Sequence, residues 1–204
     1  MQRQLIEATS GNLEKKEVDS TENDEGIVSA VQHWITRAVI GLNLCPFAKS
    51  VYIKNQIRYV VSRATSEQDV LVELERELKF LGDADPLKID TTLLVLPGMF
   101  DDFLGFNDFL KRTPRALKRT RLDGVLQIAS FHPNYQFADR DPDDIENYTN
   151  RAPYPVLHLL REVSVANAVA AFPDAATIYE RNEETLRRLG HQGWAAWMDK
   201  HAAH

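Results

Sequence analysis

Apolar residues recur with a helical period and then a strand-like one in the first half of the chain. Over residues 27–42 they repeat mostly at steps of three and four, which is typical of an amphipathic helix. Pro46 is predicted to begin a short second helix. The stretch "IRYVVS", residues 57–62, is β-branched and aromatic, which favours a strand. Ser66 is a typical N-cap for the next helical pattern, and Gly82 is predicted to end it.

The second half begins with two further strand patterns. Residues 91–97 form a continuous apolar run, as expected of a strand that is covered on both faces. Asp101 or Asp102 is predicted to open a helix, and residues 124–131 form the third strand. Pro155 is predicted to start a long helix, "VLHLLREVSVANAVAAF".

The C-terminal pattern is helical. Asp174 is predicted to cap a helix that ends at Gly190, and a short helix, "WAAWMDKHA", follows it. Two successive strand–helix–strand units therefore precede a helical C-terminus. This order favours an α/β fold with a small, mostly parallel sheet of about three core strands covered by helices. If antiparallel strands from the loops join the sheet, the class becomes α+β.

Two regions of different composition divide the chain. Residues 1–25 are rich in polar and charged side chains and are predicted to form a disordered tail. Residues 26–204 are predicted to form a single globular domain, because a chain of 204 residues can bury one sizeable core.

Ligands of parallel sheets bind beyond the carboxyl ends of the strands. Here those ends are residues 62–63, 97–98 and 131–134. Substrate-binding candidates at this edge are Arg63, Asn134 and Tyr135. His132 follows the third strand directly and could be a general base or a metal ligand there. The alternative is a turn histidine whose ring bonds a backbone carbonyl.

Composition and charge exclude several classes of function. The formal net charge is −6, which argues against a non-specific nucleic-acid binder. A single cysteine, Cys45, excludes an intramolecular disulfide. No apolar run has the length of a signal peptide core or a membrane span, so we expect a soluble cytoplasmic protein without a membrane partner. No nucleotide-binding motif is present.

Cys45 precedes the predicted helix start at Pro46. The N–H groups of that terminus, with Lys49 one turn on, would favour the thiolate. Cys45 is therefore a candidate nucleophile or metal ligand. The alternative is an inert cysteine among apolar neighbours.

A second group of candidates lies in "HLLRE". On a helix, His158, Arg161 and Glu162 would share one face, where they could form a proton relay, hold an anion or bind a metal. A plain surface ion pair explains the spacing equally well. The metal candidates of the whole chain are His132, His158 and Glu162.

The loop before this segment is polar and stiffened by prolines. In "NYTNRAPYP", Asn150 and Arg151 could be presented to a ligand, or they could satisfy the loop's own backbone. The acidic stretch "DRDPDD" lacks the glycine and glutamate of an EF-hand loop, which favours a solvated loop over a cation site.

Several long motifs resemble the bacterial domain of unknown function family 1415. They are "GLNLCPFAK", "TTLLVLP", "FNDFL", "SFHPNYQFA" and "TNRAPYPVLHLLRE", and the likeness covers residues 27–190. Ala152 stands where the resemblance leads us to expect serine in many relatives. The resemblance implies no established activity. It does mark shared residues: Cys45, Pro46, His132, Pro133, Tyr135, Asn150, Arg151, Tyr154, His158, Arg161 and Glu162.

Three functions are consistent with these residues. The first is a small-molecule enzyme in which Cys45, His132, His158 and Glu162 converge at the sheet edge and an arginine holds an anionic substrate. The second is a metal-binding protein that uses His132, His158 and Glu162. The third is a binding module without chemistry. A small-molecule ligand is the expected partner, while the substrate, a divalent metal cofactor and the oligomeric state stay open.

Overall fold

A computed structural model describes residues 23–171 and 177–199. The helices are α1 (Asp24–Trp34), α2 (Ala48–Ile53), α3 (Glu67–Asp83), α4 (Phe103–Leu110), α5 (Thr113–Thr120), α6 (Glu162–Ala171) and α7 (Ile178–Asp199). The strands are β1 (Ile57–Val61), β2 (Thr91–Val95), β3 (Leu126–Phe131) and β4 (Val156–Arg161). A π-helical segment (Ile35–Ile40) extends α1, and a 3₁₀ helix (Ile145–Thr149) lies between β3 and β4.

Parts of several predictions fall outside the described residues, among them the last three residues of the predicted short C-terminal helix. The disordered tail was predicted for residues 1–25, and residues 1–22 of it are not described; Asn23 already caps α1. The predicted cap at Asp174 also lies outside the described residues. In the part of the chain that is described, no helix is both long enough and apolar enough to cross a membrane.

The four strands form one sheet in the order β1-β2-β4-β3. β1 pairs with β2 in parallel, whereas β4 runs antiparallel to both β2 and β3. The three predicted strands therefore do point the same way, and helices cover them, so the mixed α/β class is confirmed. The expectation of mostly parallel pairing is wrong, because the fourth strand is inserted antiparallel between two of the three.

That fourth strand occupies the first part of the helix predicted from Pro155. The run "VLHLLR" is apolar nearly throughout, and a short apolar run fits a buried strand and a helix equally well. In the structure its side chains alternate between the two faces of the sheet. Leu157 and Leu159 join one core cluster and Val156 joins the other. A helix follows at once, from Glu162.

Helices pack on both faces of the sheet and give two cores. On one face, α3, α4 and α5 bury side chains such as Leu74 and Phe106 against Leu94 and Leu157. On the other face, α1 and α7 pack through Trp34 and Leu186, among others. The fold is therefore three layers deep, with each face of the sheet closed by different helices.

Local signals for helix ends are mostly confirmed. The Ser66 hydroxyl accepts a hydrogen bond from the Asp69 N–H, and the Asp102 carboxylate accepts one from the Gly105 N–H at 2.9 Å. α2 begins two residues after Pro46. Gly190 has φ 64° and breaks α7 into two helical parts, as the sequence pattern predicts.

Candidate functional site

A cleft with a volume of about 780 Å³ opens between α1, the C-terminal part of α7 and the loop that joins β3 to β4. Pro133 and Asn134 contribute to it from the carboxyl end of β3. The cleft therefore reaches the sheet edge at which the sequence predicts ligand binding.

Aromatic side chains form much of the apolar lining. Trp34 of α1 packs edge-on against Phe131, with ring centroids 5.0 Å apart. Tyr148 of the loop and Trp194 of α7 are in a similar arrangement at 5.1 Å. These rings come from three elements and offer a large apolar surface of fixed geometry to a ligand.

Arg151 is the cation of the cleft, and the backbone fixes its position. Its Nε donates to the Tyr135 carbonyl at 3.2 Å, and its Nη2 donates to the Pro142 carbonyl at 2.6 Å. Its guanidinium carbon lies 4.4 Å from the centre of the Tyr148 ring. Within residues 23–171 and 177–199, no carboxylate forms an ion pair with Arg151. Its charge is therefore held in place but is not neutralised by an acidic side chain.

His33 lines the cleft from α1. Its Nε2 is 2.9 Å from the main-chain carbonyl of Met198, which also lines the cleft. A carbonyl can only accept, so Nε2 carries the hydrogen and, in the neutral ring, Nδ1 carries a lone pair. No described residue forms a hydrogen bond with this Nδ1.

His132 supports the cleft from the core instead of lining it. The residue is only 1% exposed, and its ring stacks on Phe106 with centroids 5.3 Å apart. Its Nε2 donates to the Phe100 carbonyl at 2.9 Å, and its Nδ1 accepts from the Asn134 N–H at 3.0 Å. Burial lowers the pKa of His132. Both ring nitrogens are therefore used, Nε2 on the Phe100 carbonyl and Nδ1 on the turn that carries Asn134.

His158 lies on the other face of the sheet, beside Phe131. Its Nε2 is 2.7 Å from the Thr91 hydroxyl, and that hydroxyl donates to the Leu159 carbonyl at 2.7 Å. Burial lowers the pKa of His158 to about 4. The structure thus separates His132 from His158 by the sheet and does not bring them into one site.

Cys45 lies in the turn before α2 and is not part of the cleft lining. Backbone N–H groups of Phe47 and Ala48 bond the sulfur and favour its thiolate, but burial is the larger effect and raises the pKa of the Cys45 thiol. The expected lowering of the pKa at this helix start is therefore outweighed by burial. Lys49 is exposed.

The amino-acid sequence matches a known protein family over most of its length. The model of the family described as "Protein of unknown function (DUF1415)" matches residues 26–196. The chain belongs to the DUF1415 family. No curated protein and no solved structure gave a significant match. The family match of this DUF1415 protein includes the cleft-lining residues of α1, of the β3–β4 loop and of α7, with the exception of Met198.

The predicted helical face of His158, Arg161 and Glu162 does not exist in the DUF1415 protein. His158 and Arg161 occupy opposite faces of β4, and Glu162 begins α6. The Arg161 Nη2 donates to the carbonyls of Leu81 and Ala84, at 2.6 and 2.7 Å. Arg161 therefore caps the C-terminal end of α3, where its guanidinium stabilises carbonyls that lack helical partners.

The remaining predicted binding residues contact other parts of the chain. Arg63 pairs with Asp24 in the first turn of α1. Asn150 accepts the His132 N–H through its carbonyl at 3.2 Å. The ring of Tyr135 packs on Phe103, and its carbonyl holds Arg151. Of the predicted binding residues, Asn134 and Arg151 line the cleft, whereas Arg161 is part of the scaffold.

The predicted metal ligands are not grouped. Among the residues that the structure describes, no three or more His, Cys, Asp or Glu side chains are placed to share a metal ion. In the acidic loop, the Asp144 carboxylate accepts the Asp141 N–H at 3.0 Å, which is a turn-stabilising contact. The expectation of a solvated loop there agrees with this geometry.

Sequence reasoning missed the helical sides of the cleft. Four residues of α1 line the cleft and recur at steps of one, three or four along the helix: Gly26, Ser29, Ala30 and His33. Such a row of small residues ending in a histidine leaves space along one helix face, and it is the signal that could have indicated this wall. Trp194 and Met198 of α7 lie one turn apart, but nothing in the sequence relates them to α1.

Proposed function

We propose that this DUF1415 protein binds a small organic anion in the cleft. The anionic group pairs with Arg151, and the rest of the molecule packs on Trp34, Tyr148 and Trp194. The observation that carries this proposal is the state of Arg151, a positioned guanidinium without an acidic partner in the described part of the chain.

Arg151 has the properties of an anion-binding group. Two backbone carbonyls and the Tyr148 ring hold the guanidinium, so little side-chain entropy is lost when a ligand binds. Its Nη1 donates no hydrogen bond to a described residue, which leaves a charge-assisted donor for a carboxylate or phosphate oxygen. The aromatic lining favours a carboxylate on an apolar ring over an inorganic anion.

This proposal retains the ligand class predicted from the sequence and changes the residues. A thiol-dependent enzyme would need Cys45, His132 and His158 at one site, and a metal protein would need His132, His158 and Glu162 together. Neither group is supported by the positions of these side chains. Binding of an anion at Arg151 is the part of the sequence prediction that the geometry favours.

The test is a titration of the full chain with benzoate, indole-3-acetate and inorganic phosphate. Binding is monitored by NMR through the indole N–H resonances of the tryptophans. We expect the aromatic carboxylates to bind more tightly than phosphate and to shift Trp194. Arg151→Met should weaken their binding about tenfold or more, because the anion then loses the arginine that lines the cleft in the described part of the chain.

Arg115→Met is the matched control. Arg115 is exposed on α5, on the opposite face of the sheet, and its side chain forms no hydrogen bond or ion pair with a described residue. Arg151→Lys keeps the positive charge but loses the planar, paired N–H donors of the guanidinium, so it should retain part of the affinity. Equal binding by wild type and Arg151→Met, or no binding of any carboxylate by a folded wild type, would overturn the proposal.

A further inference from the structure

The cleft has a continuous wall with a different polar group at each end. Arg151 stacks on Tyr148 at 4.4 Å, and Tyr148 contacts Trp194 with ring centroids 5.1 Å apart. Met198 lies one helical turn beyond Trp194, and its carbonyl bonds His33. The wall therefore runs from a guanidinium, across aromatic rings, to an imidazole.

The imidazole end offers an acceptor. Because the Met198 carbonyl takes the Nε2 hydrogen of His33, the neutral ring presents Nδ1 as a lone pair without a partner among the described residues. The Arg151 end offers only donors. A ligand that satisfies both ends must carry an acceptor at one end and a donor at the other.

We infer that His33 is a specificity-determining residue and that the ligand is a ring-bearing carboxylate with a hydroxyl or N–H group remote from its carboxylate. The carboxylate binds Arg151, the ring lies along Tyr148 and Trp194, and the hydroxyl or N–H donates to His33 Nδ1. This inference rests on the proposed function, because it requires an anion at Arg151.

The wall itself disfavours smaller ligands. Along the wall, two ring contacts and one helical turn lie between Arg151 and His33, which suits a ligand that spans a ring better than a bare carboxylate or phosphate. A purely apolar carboxylate would leave the His33 acceptor without a protein or ligand partner. A site that is built to accept a hydrogen bond discriminates against analogues that lack the donor.

Two matched probe pairs test the inference and differ in length. The first pair is benzoate and 4-hydroxybenzoate, and the second is 1-methylindole-3-acetate and indole-3-acetate. Within each pair only the second member carries the remote donor. We expect at least one donor-bearing probe to bind wild type about threefold to tenfold more tightly than its partner, as one neutral hydrogen bond allows.

The variant His33→Phe isolates the acceptor. It keeps a flat ring in the wall but removes both nitrogens, so the Nδ1 acceptor is lost together with the hydrogen bond to the Met198 carbonyl. We expect His33→Phe to bind both members of each pair equally and to have a lower melting temperature. In His33→Gln the amide nitrogen can replace Nε2 against the Met198 carbonyl and the amide oxygen is still an acceptor, so this variant should fold like wild type and keep part of the preference.

The outcomes separate this inference from the proposed function. If the carboxylates bind through Arg151 but both pairs bind equally, the His33 inference is wrong and the anion site stands. The same conclusion follows if the full preference persists in His33→Phe. If no probe depends on Arg151, both proposals are wrong.

Discussion

A single hydroxyl determines which nitrogen of His158 carries hydrogen. Thr91 has one hydroxyl hydrogen and donates it to the Leu159 carbonyl, so the same oxygen must accept from the His158 Nε2–H. Protonation would add a charge at Nδ1 on a buried sheet face, where burial already lowers the pKa of His158 to about 4. His132 has a lowered pKa for the same reason. Both histidines therefore act as neutral structural groups.

This state of His158 predicts acid sensitivity of the fold. Above a pH of about 6.5 the ring is neutral in folded and unfolded chains and contributes no pH dependence. As the pH falls from there toward about 4, the His158 ring becomes protonated in the unfolded chain but stays neutral in the folded chain. The folded state therefore loses stability relative to the unfolded state. The loss from His158 reaches about 3 kcal/mol at the lower end.

His158→Phe removes this titration. We expect a shallower fall of the unfolding free energy between pH 6.5 and 4.5, measured by urea denaturation, at a cost of about 1 kcal/mol at neutral pH for the lost hydrogen bond. In that variant His132, whose pKa is also lowered, still contributes to the pH dependence of the unfolding free energy. His191→Phe replaces an exposed ring and serves as the control. An unchanged slope in His158→Phe would contradict the assignment.

Individual elements differ in how much the sequence alone predicted. The caps at Ser66 and Asp102 are local hydrogen bonds within three residues, so composition and spacing are enough to predict them. The apolar run of β4 has no decisive period, and the sequence therefore predicts a helix there. Its strand conformation depends on hydrogen bonding to β2 and β3, which the run itself does not indicate. His132 was placed correctly at a strand end. Its ring lies in the core, stacked on Phe106, and the sequence does not indicate this because Phe106 is distant along the chain.

The π-helical segment continues the helix that forms one side of the cleft. It joins α1 to the turn before Cys45, and its last bond runs from the Gly41 N–H to the Thr36 carbonyl at 3.0 Å, five residues back. A Cβ at Gly41 would lie 2.3 Å from the Arg37 carbonyl oxygen. Backbone cannot give way as a side chain can, so this turn requires glycine.

Gly41→Ala should therefore destabilise the protein by about 1–3 kcal/mol through overpacking. Gly98→Ala is the matched control, because a Cβ there meets no atom within 4 Å. That control is expected to leave stability unchanged or to raise it by a few tenths of a kcal/mol, since alanine restricts the unfolded chain. Thermal denaturation measures both. Equal melting temperatures for the two variants would mean that the π turn relaxes without cost.

At the scale of the whole molecule, the cleft depends on contacts between parts of the chain that are far apart in sequence. Trp34 and His33 come from one end of the chain, and Trp194 and Met198 from the other. No local pattern relates these segments, which is why the sequence predicted the loop side of the site, with Asn134 and Arg151, and not the helical sides.

A charged cluster fixes the loop side against α7. Arg140 bonds Glu183 of α7, and Arg187 of α7 bonds both Glu183 and Glu146 of the loop. Glu146 and Glu183 are largely buried, so each depends on its arginine partners. Arg140 is the main cause of the lowered pKa of Glu183. The 3₁₀ helix packs against α7 at the same place. This cluster therefore holds Tyr148 and Arg151 at their distance from Trp194.

Glu183→Gln should loosen the loop and weaken the cleft together. An amide keeps the volume of the side chain but removes the charge that pairs with Arg140 and Arg187, so we expect faster hydrogen exchange at residues 137–149 and an aromatic-carboxylate affinity about threefold to tenfold lower. Glu184→Gln removes the same charge from an exposed neighbour that forms no hydrogen bond or ion pair with a described residue, and it should change neither quantity. Faster exchange with unchanged affinity would show that the loop does not position Arg151. Unchanged exchange would show that packing alone, and not the charged cluster, holds the loop on α7.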